Sequence, residues 1–588
     1  MLSIGRIDAD NVHYHAHEDD HSEARWIGTG TRSLGFEPGE PAIPSQVLSV
    51  LSGRHPSTDS PLLTGARAPR DGDRDRRLPG WDLAFSAPKS VSVLAALSSP
   101  QVHAEVLESQ RCAVEAALSY LEGHLAWVRR GHAGQQALDS TGFVAFEISH
   151  ATSRLGDPQI HSHVVLSALS CGTDGLWSAW AGRLHPLALA AGCLYAAELR
   201  SQLSERLGVG WGEARKGLAE VVGVPRDLAV RFSKRRQQIV EELLARGEGS
   251  ARAAQSATLR TRPKKDRGEL SADECRERWV DEARQLGFDP QEIVRTALSQ
   301  HGEAIEPSAD EISDAGQRVL ALDGPILARR TAFREADVIV ALASEPAFIT
   351  AGAGALLEGS QLVLEEPSVT QLRGGRAPRW STHEALAAEA ALAAQVKGLQ
   401  GVVGLYAAGE LVEHSQDLSP KLRKVASQVV DSAEGAVMLV APTAQADEVL
   451  KGVARAQVEA ERSVVVVAKS QDAVQRWKGV TGVRVVSPRK LGAAKPGSLV
   501  IVDRSSALGR GELEQVVAQV GELSGGLVLA ADPNYLGETF SARHLVAVRG
   551  TVKCIEVDVS QEVEVERGNL RELDRLVELG EQLRHSIA

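Results

Sequence analysis

The sequence lacks the features that would place it in several large classes. Its five cysteines, Cys112, Cys171, Cys193, Cys275 and Cys554, have no paired spacing. This argues against a disulfide framework or a zinc ribbon and suits a reducing cytoplasm. No apolar run reaches the roughly 20 residues that a membrane span needs. The first residues, Met1-Leu2-Ser3-Ile4-Gly5-Arg6, do not show the basic-then-apolar order of a secretory signal. An excess of positive charge is missing as well, since the net charge is −12. By region, however, residues 151–300 carry 22 Lys and Arg against 19 Asp and Glu, with clusters at 226–236 and 252–267. One basic face is sufficient for phosphate contacts even on an acidic chain.

What the sequence does hold is histidine in a telling pattern. His161 and His163 lie two apart in Pro158-Gln159-Ile160-His161-Ser162-His163-Val164-Val165-Leu166, a run that reads as a strand. Alternate residues of a strand share a face, so the two imidazoles project on the same side, about 6–7 Å apart. Gly156-Asp157-Pro158 supplies a turn, which lets a preceding strand ending near His150 return alongside and bring a third ring nitrogen to that face. A lone histidine at a strand end is ordinarily a surface or core residue, whereas three on one hairpin point to a borderline divalent metal. A second group, His13, His15 and His17 around Tyr14, would share a face if extended. It reads instead as exposed polar surface.

The order of the remaining segments indicates two architectures. A Gly, Pro, Ser and Arg-rich stretch at 53–79 reads as a loop. It leads into Gly80-Trp81-Asp82-Leu83-Ala84-Phe85-Ser86, which alternates like a strand and turns helical after Pro88. Asp82 in mid-strand is costly to bury unless paired, and a histidine would satisfy it. Residues 100–130 read as one amphipathic helix, 142–150 as a strand, and 185–300 as mostly helical. The N-terminal region is therefore expected to be α+β, an antiparallel sheet with helices packed on it. From about residue 435 the pattern changes to short, fully apolar, β-branched runs at 436–440, 463–467, 498–502 and 526–530, separated by helical stretches. That is the signature of a parallel sheet buried on both faces in a doubly wound α/β domain. The expected domains are 1–300, a linker and small helical region at 301–380, and 381–588. A phosphate-binding loop needs glycines and a Lys-Ser/Thr pair. The first of these strands is followed instead by Ala441-Pro442-Thr443-Ala444-Gln445-Ala446-Asp447-Glu448, with two carboxylates and neither glycine nor lysine. No ATPase activity is expected.

Tyr14, the Gly80-to-Ser92 segment and His150-Ala151-Thr152-Ser153-Arg154 through His163 together resemble the conjugative relaxases of the MobF type, in the branch found in actinobacterial plasmids and integrative elements. The resemblance covers roughly residues 1–300. It implies a single-stranded DNA nickase and strand transferase of the HUH class acting at a transfer origin. Tyr14 would be the nucleophile, His150, His161 and His163 the metal ligands, and Asp82 the acid behind one of them. Lys89 and Arg154 would contact DNA. One divalent ion is implied, Mg2+ or Mn2+ with Zn2+ as the alternative, and no ATP. The implied partners are single-stranded origin DNA, relaxosome accessory proteins and a coupling protein, in the cytoplasm and without membrane insertion. The sequence departs from the family in carrying one tyrosine where such relaxases usually have pairs, which puts the second strand transfer in question. From Trp380 onward it is similar to the first RecA-like domain of superfamily-one helicases. Asp447 and Glu448 stand where the Lys and Thr of the phosphate loop belong, and Arg504 replaces the acid after Asp503. The chain ends before a second lobe, so helicase action is not expected. The alternatives are a catalytically impaired origin-binding protein and a replication initiator of the HUH class.

Overall fold

The computed structural model describes residues 1–8, 24–64, 78–245, 271–328, 330–372, 378–399, 412, 418–432, 435–533 and 543–557. They form two compact units, Met1–Val319 with Arg334–Pro367, and Leu320–Phe333 with Ser368–Ala588.

The first unit is built on five strands, β1 (Leu2–Ile7), β2 (Ala24–Ile27), β3 (Gly80–Ser86), β4 (Ala145–Thr152) and β5 (Pro158–Ser167). Their order is β1-β3-β5-β4-β2, and every neighbouring pair is antiparallel. Alternation decides which way each strand faces. In β5, Ile160, Ser162 and Val164 are buried while Gln159, His161 and His163 lie toward the open side. Helices α1 (Lys89–Leu97) and α2 (Pro100–Leu125) pack against β5, and α3 (Ala188–Leu207) against β1. Leu83, Phe85 and Val164 are fully buried, each contributing about 1.5–3 kcal/mol of apolar burial. Phe85 meets Tyr195 of α3 at a ring-centroid distance of 5.3 Å. The helix expected over 100–130 stops at Leu125, and Trp127–Arg130 is instead a short strand paired with Gln136–Asp139. Trp127-Val128 favours extended backbone, and Gly131, at φ 75°, starts the turn back.

The basic region supplies α4 (Lys234–Ala245) and α5 (Ala272–Gln285). Within 301–367, α6 (Glu335–Leu342) and α7 (Ala353–Glu365) belong to the first compact unit.

The second unit has a six-stranded sheet of β6 (Ala436–Val440), β7 (Val464–Val467), β8 (Val483–Val486), β9 (Leu499–Val502), β10 (Gly526–Ala531) and β11 (Lys553–Glu556). The order is β8-β7-β9-β10-β6-β11 and all pairs are parallel. Strictly apolar strands are required because both faces are covered. Val437, Leu439, Val464 and Val466 pack with α9 (Pro420–Val430) and α10 (Thr443–Glu459) on one side. Met438, Val440, Val465 and Val467 pack with α8 (His383–Gly398) and α12 (Arg510–Glu522) on the other. Between α10 and α12 the short helix α11 (Gln471–Arg476) follows β7.

Candidate metal centre

The three histidines are brought together by register. His150 on β4 lies directly opposite His161 on β5, and His163 is two residues further along β5 on the same face. On the other flank Ala84 lies opposite His163, so Asp82, two residues before Ala84, shares that face. The ring centroids are 5.1 Å apart for His150 and His161, 5.7 Å for His150 and His163, and 5.3 Å for His161 and His163. Three imidazoles bound through nitrogen at about 2.1 Å in a tetrahedral arrangement place their centroids about 5 Å apart. Among the described residues no group of three His, Cys, Asp or Glu is arranged as it stands to hold a metal ion. The three rings lie within 6 Å of one another, centroid to centroid.

The hydrogen bonds set the tautomers that such an ion needs. His163 donates from Nδ1 to Asp82 Oδ1 at 2.8 Å, and His161 donates from Nδ1 to the Gln159 carbonyl at 3.0 Å. Both acceptors lack a proton to give, so in each neutral ring the lone pair sits on Nε2. Burial, reinforced by the neighbouring His163, pushes the His161 pKa down to about 3. His161 is thus neutral at physiological pH, as a ligand must be. By chemistry, three imidazoles with a carboxylate behind one of them are a donor set that suits a divalent metal.

The hairpin that carries them is clamped at its tip. Ser153 and Asp157 close the turn, with Gly156 at φ 73°. The Gly156 carbonyl accepts from Trp279 Nε1 at 2.8 Å and from the Arg278 guanidinium, both on α5. A side chain at Gly156 would strike that guanidinium. Asp157, 1% exposed, accepts from the Lys234 backbone N–H at 2.8 Å at the start of α4 and pairs with the Lys234 ammonium at 3.2 Å. Lys234 also reaches Glu282 at 2.7 Å.

Lys89, expected at the DNA, is half-buried and donates from Nζ to the Pro158 carbonyl at 2.8 Å. Burial lowers its pKa to about 8. Arg154 is exposed at the tip of the hairpin. Tyr14 and the neighbouring His13, His15 and His17 lie outside the described residues.

At the carboxyl ends of the parallel strands the arrangement is different. Only Ala441 and Pro442 separate β6 from α10, so there is no loop to wrap a phosphate. Asp447 lies one turn inside α10, Glu448 is exposed, and Arg504 adopts a left-handed backbone at φ 55°. Arg476 bridges Asp447 at 3.0 Å and Asp503 at 2.8 Å. Trp477 Nε1 donates to Asp503 at 3.1 Å, and Thr443 Oγ1 to Asp532 at 3.1 Å. Burial raises the Asp447 pKa against the pull of Arg476. The sequence reading did not single out Arg476, because only the sheet order brings it beside its two partners.

Residues 6–286 match the family model described as TrwC relaxase. Over 335 residues the chain is 30% identical to the multifunctional conjugation protein TraI of Escherichia coli, covering 54% of this chain and 18% of that protein. It is 29% identical over 334 residues to the TraI of Escherichia coli strain K12, with the same coverage. The chain thus spans 18% of the length of the curated relatives it matches. Among solved structures, the conjugative relaxase TrwC in complex with OriT DNA in its metal-free form is 28% identical, with 49% of this chain and 100% of that chain covered and a TM-score of 0.43. The metal-bound form of that complex is 29% identical over the same shares, with a TM-score of 0.43.

Proposed function

We propose, from the match of residues 6–286 to the TrwC relaxase family model, that this chain is a conjugative relaxase, cleaving one strand of DNA at a transfer origin by transesterification. The observation that carries the reading is the set of three imidazoles within 6 Å of one another, centroid to centroid, with His163 tied back to Asp82 and His161 to the Gln159 carbonyl. In the proposed reaction the Tyr14 phenol oxygen bonds to the scissile phosphorus, the bond from phosphorus to the 3′ oxygen breaks, and the 3′ oxygen leaves as a hydroxyl carrying the proton. The product is a 5′-phosphotyrosyl strand that reverses by the same steps, because the phosphodiester energy is retained. His150, His161 and His163 would hold a divalent ion, Mg2+ or Mn2+ with Zn2+ as the alternative. When bound, the ion supplies charge neutralisation at the phosphate oxygens. Asp82 fixes the tautomer and direction of the His163 ring. Arg154, exposed at the hairpin tip, would contact the DNA backbone. Lys89, bonded to Pro158, serves by holding the hairpin.

The second unit is read as a non-hydrolysing DNA-binding or docking module of RecA-like descent. The two-residue connection after β6 and the Arg476 bridge support that reading.

The test uses the full chain with Mg2+ or Mn2+ and a single-stranded oligonucleotide carrying its own origin. A covalent adduct forms with the wild-type protein and is abolished in Tyr14→Phe. An adduct that persists in Tyr14→Phe removes Tyr14 as the nucleophile. Origin binding with no wild-type adduct favours the catalytically silent origin-binding protein, to which the single tyrosine also points.

A further inference from the structure

The core-facing side of the two histidine-bearing strands is polar where a sheet interior is ordinarily apolar. Ser149 and Ser162 lie directly opposite each other, Ser162 between His161 and His163 and Ser149 next to His150. Strand alternation turns both away from the rings. Their hydroxyls are 3.2 Å apart. From α2, Gln110 donates through Nε2 to Ser162 Oγ at 3.2 Å and to the Phe85 carbonyl at 3.2 Å. Its amide oxygen accepts from the Tyr195 hydroxyl of α3 at 2.6 Å. On the other side Ser149 donates to Glu147 Oε1 at 3.4 Å, and Glu147 Oε2 accepts from Arg25 of β2 at 2.5 Å. Arg25 also holds Glu115 of α2 at 2.6 Å. Ser162 and Tyr195 are 0% exposed, Gln110 1% and Glu147 2%, whereas Ser149 is exposed. The row therefore crosses from α3 to β2 directly beneath the rings.

Such a row is costly to bury and stabilises only when every member is satisfied. Apolar side chains would fill the same space without that demand, but their contacts are non-directional. Directionality matters here because a one-residue slip of β4 on β5 would move His150 to the other face. The pairing is also irregular just beyond, with a register shift between His150 and Thr152. The Ser149–Ser162 contact forms only in the register that sets His150 against His161. We propose that Gln110, Ser149, Ser162 and Glu147 are positioning residues that hold the His150, His161 and His163 rings in metal-binding register from behind the sheet. This rests on the metal site of the relaxase reading but is tested apart from nicking.

The full chain is titrated with Co2+, whose visible bands report ligand geometry. Ser162→Ala and Gln110→Met are each expected to weaken Co2+ binding about 10-fold and to shift the bands, as losses behind a ligand shell do. The control is Val50→Ala, a cavity in the apolar core of the same unit and outside the row. It lowers the unfolding temperature and leaves Co2+ affinity and bands unchanged. If Ser162→Ala and Gln110→Met behave like Val50→Ala, the row is merely structural and the proposal fails. Should those two not fold, Tyr195→Phe deletes a single hydroxyl at the end of the row, with about a 3-fold loss expected and wild-type affinity overturning the idea. Wild-type protein that binds no Co2+ would overturn it as well. Adduct formation by the wild type decides the relaxase reading and the ratio of variant to wild-type Co2+ affinity decides this one, so adduct formation with an unchanged ratio defeats only the positioning role.

Discussion

On the open face of the antiparallel sheet, His161 and His163 each give the Nδ1 proton to an oxygen of the chain, which leaves the lone pair of each neutral ring on Nε2. At the carboxyl ends of the parallel sheet, Asp447 and Asp503 share one guanidinium, that of Arg476, and Asp503 takes a further bond from Trp477. The first gathers its polar groups on a sheet face and the second at the carboxyl ends of parallel strands, where ligands of such sheets commonly bind. They differ in where the bonding capacity points. In the first unit the oxygens orient the rings through Nδ1 and put the lone pair on Nε2. In the second the chain supplies the cation itself. A position in a fold thus becomes a site only when its donors or acceptors are directed outward, and an internal partner of opposite charge closes it.

The largest effect that would break this comparison comes from removing that internal cation. Asp503 is 5% exposed, and Arg476→Met leaves it and Asp447 without the cation they share, while Asp503 keeps its bond from Trp477. The loss expected from breaking a buried pair is about 3–5 kcal/mol. It should be read as an earlier urea transition of the second unit, with the Co2+ affinity of the first unit unchanged. Replacing Asp447, Arg476 and Asp503 together by apolar residues of similar volume should restore most of the loss. An Arg476→Met protein with wild-type transitions would mean that the bridge does not close the crevice.

Much of this arrangement was legible in the sequence because it depends on alternation. His161 and His163 share a face in any strand, and Asp82 in a strand otherwise apolar called for a partner that His163 provides. The parallel sheet was legible for the opposite reason, since Val464 to Val467 can be uniformly apolar only if both faces are covered. What could not be read locally needed contacts between distant segments. Lys89 looks like an exposed cation in sequence, yet the hairpin folds over it and takes its ammonium onto the Pro158 carbonyl. Arg476 joins Asp447 and Asp503 only because β9 sits beside β7. Glu147 carried a faint signal, a carboxylate at a core-facing position of β4, whose partner Arg25 is on another strand. The end of α2 at Leu125 was missed because Trp127-Val128 also suits the apolar face of a helix.

The next effect separates the units by pH. His544 of the second unit is fully buried, and among the described residues neither ring nitrogen has a hydrogen-bond partner. Burial, with a smaller contribution from Arg510, lowers its pKa to about 4. The unfolded chain takes up this proton near pH 6.5 and the folded chain only near 4, so unfolding gains protons in between and stability falls as pH drops through that window. The total is about 3 kcal/mol. In His544→Leu the fall between pH 7 and pH 4 should be shallower by that amount in urea unfolding of the second unit. Equal pH dependence in wild type and variant would show that His544 takes up its proton as readily in the folded chain as in the unfolded one.

The smallest effect probes the outward-directed site. Asp82→Asn keeps an acceptor for the His163 Nδ1 proton but removes the charge that raises the basicity of the ring. Asp82→Ala removes the acceptor as well and lets the ring turn. Partners of this kind are worth about 10–100-fold in metal affinity. The expected order of Co2+ affinity is therefore wild type, then Asp82→Asn near the lower loss, then Asp82→Ala near the upper. Thermal stability without metal should change little, because Asp82 and His163 are both partly open to solvent and such pairs contribute about 1 kcal/mol or less. The opposite outcome, a large loss of stability with unchanged Co2+ binding, would place Asp82 and His163 in the same class as Asp447 and Arg476, a pair closed on itself. The contrast between the two sites would then be gone.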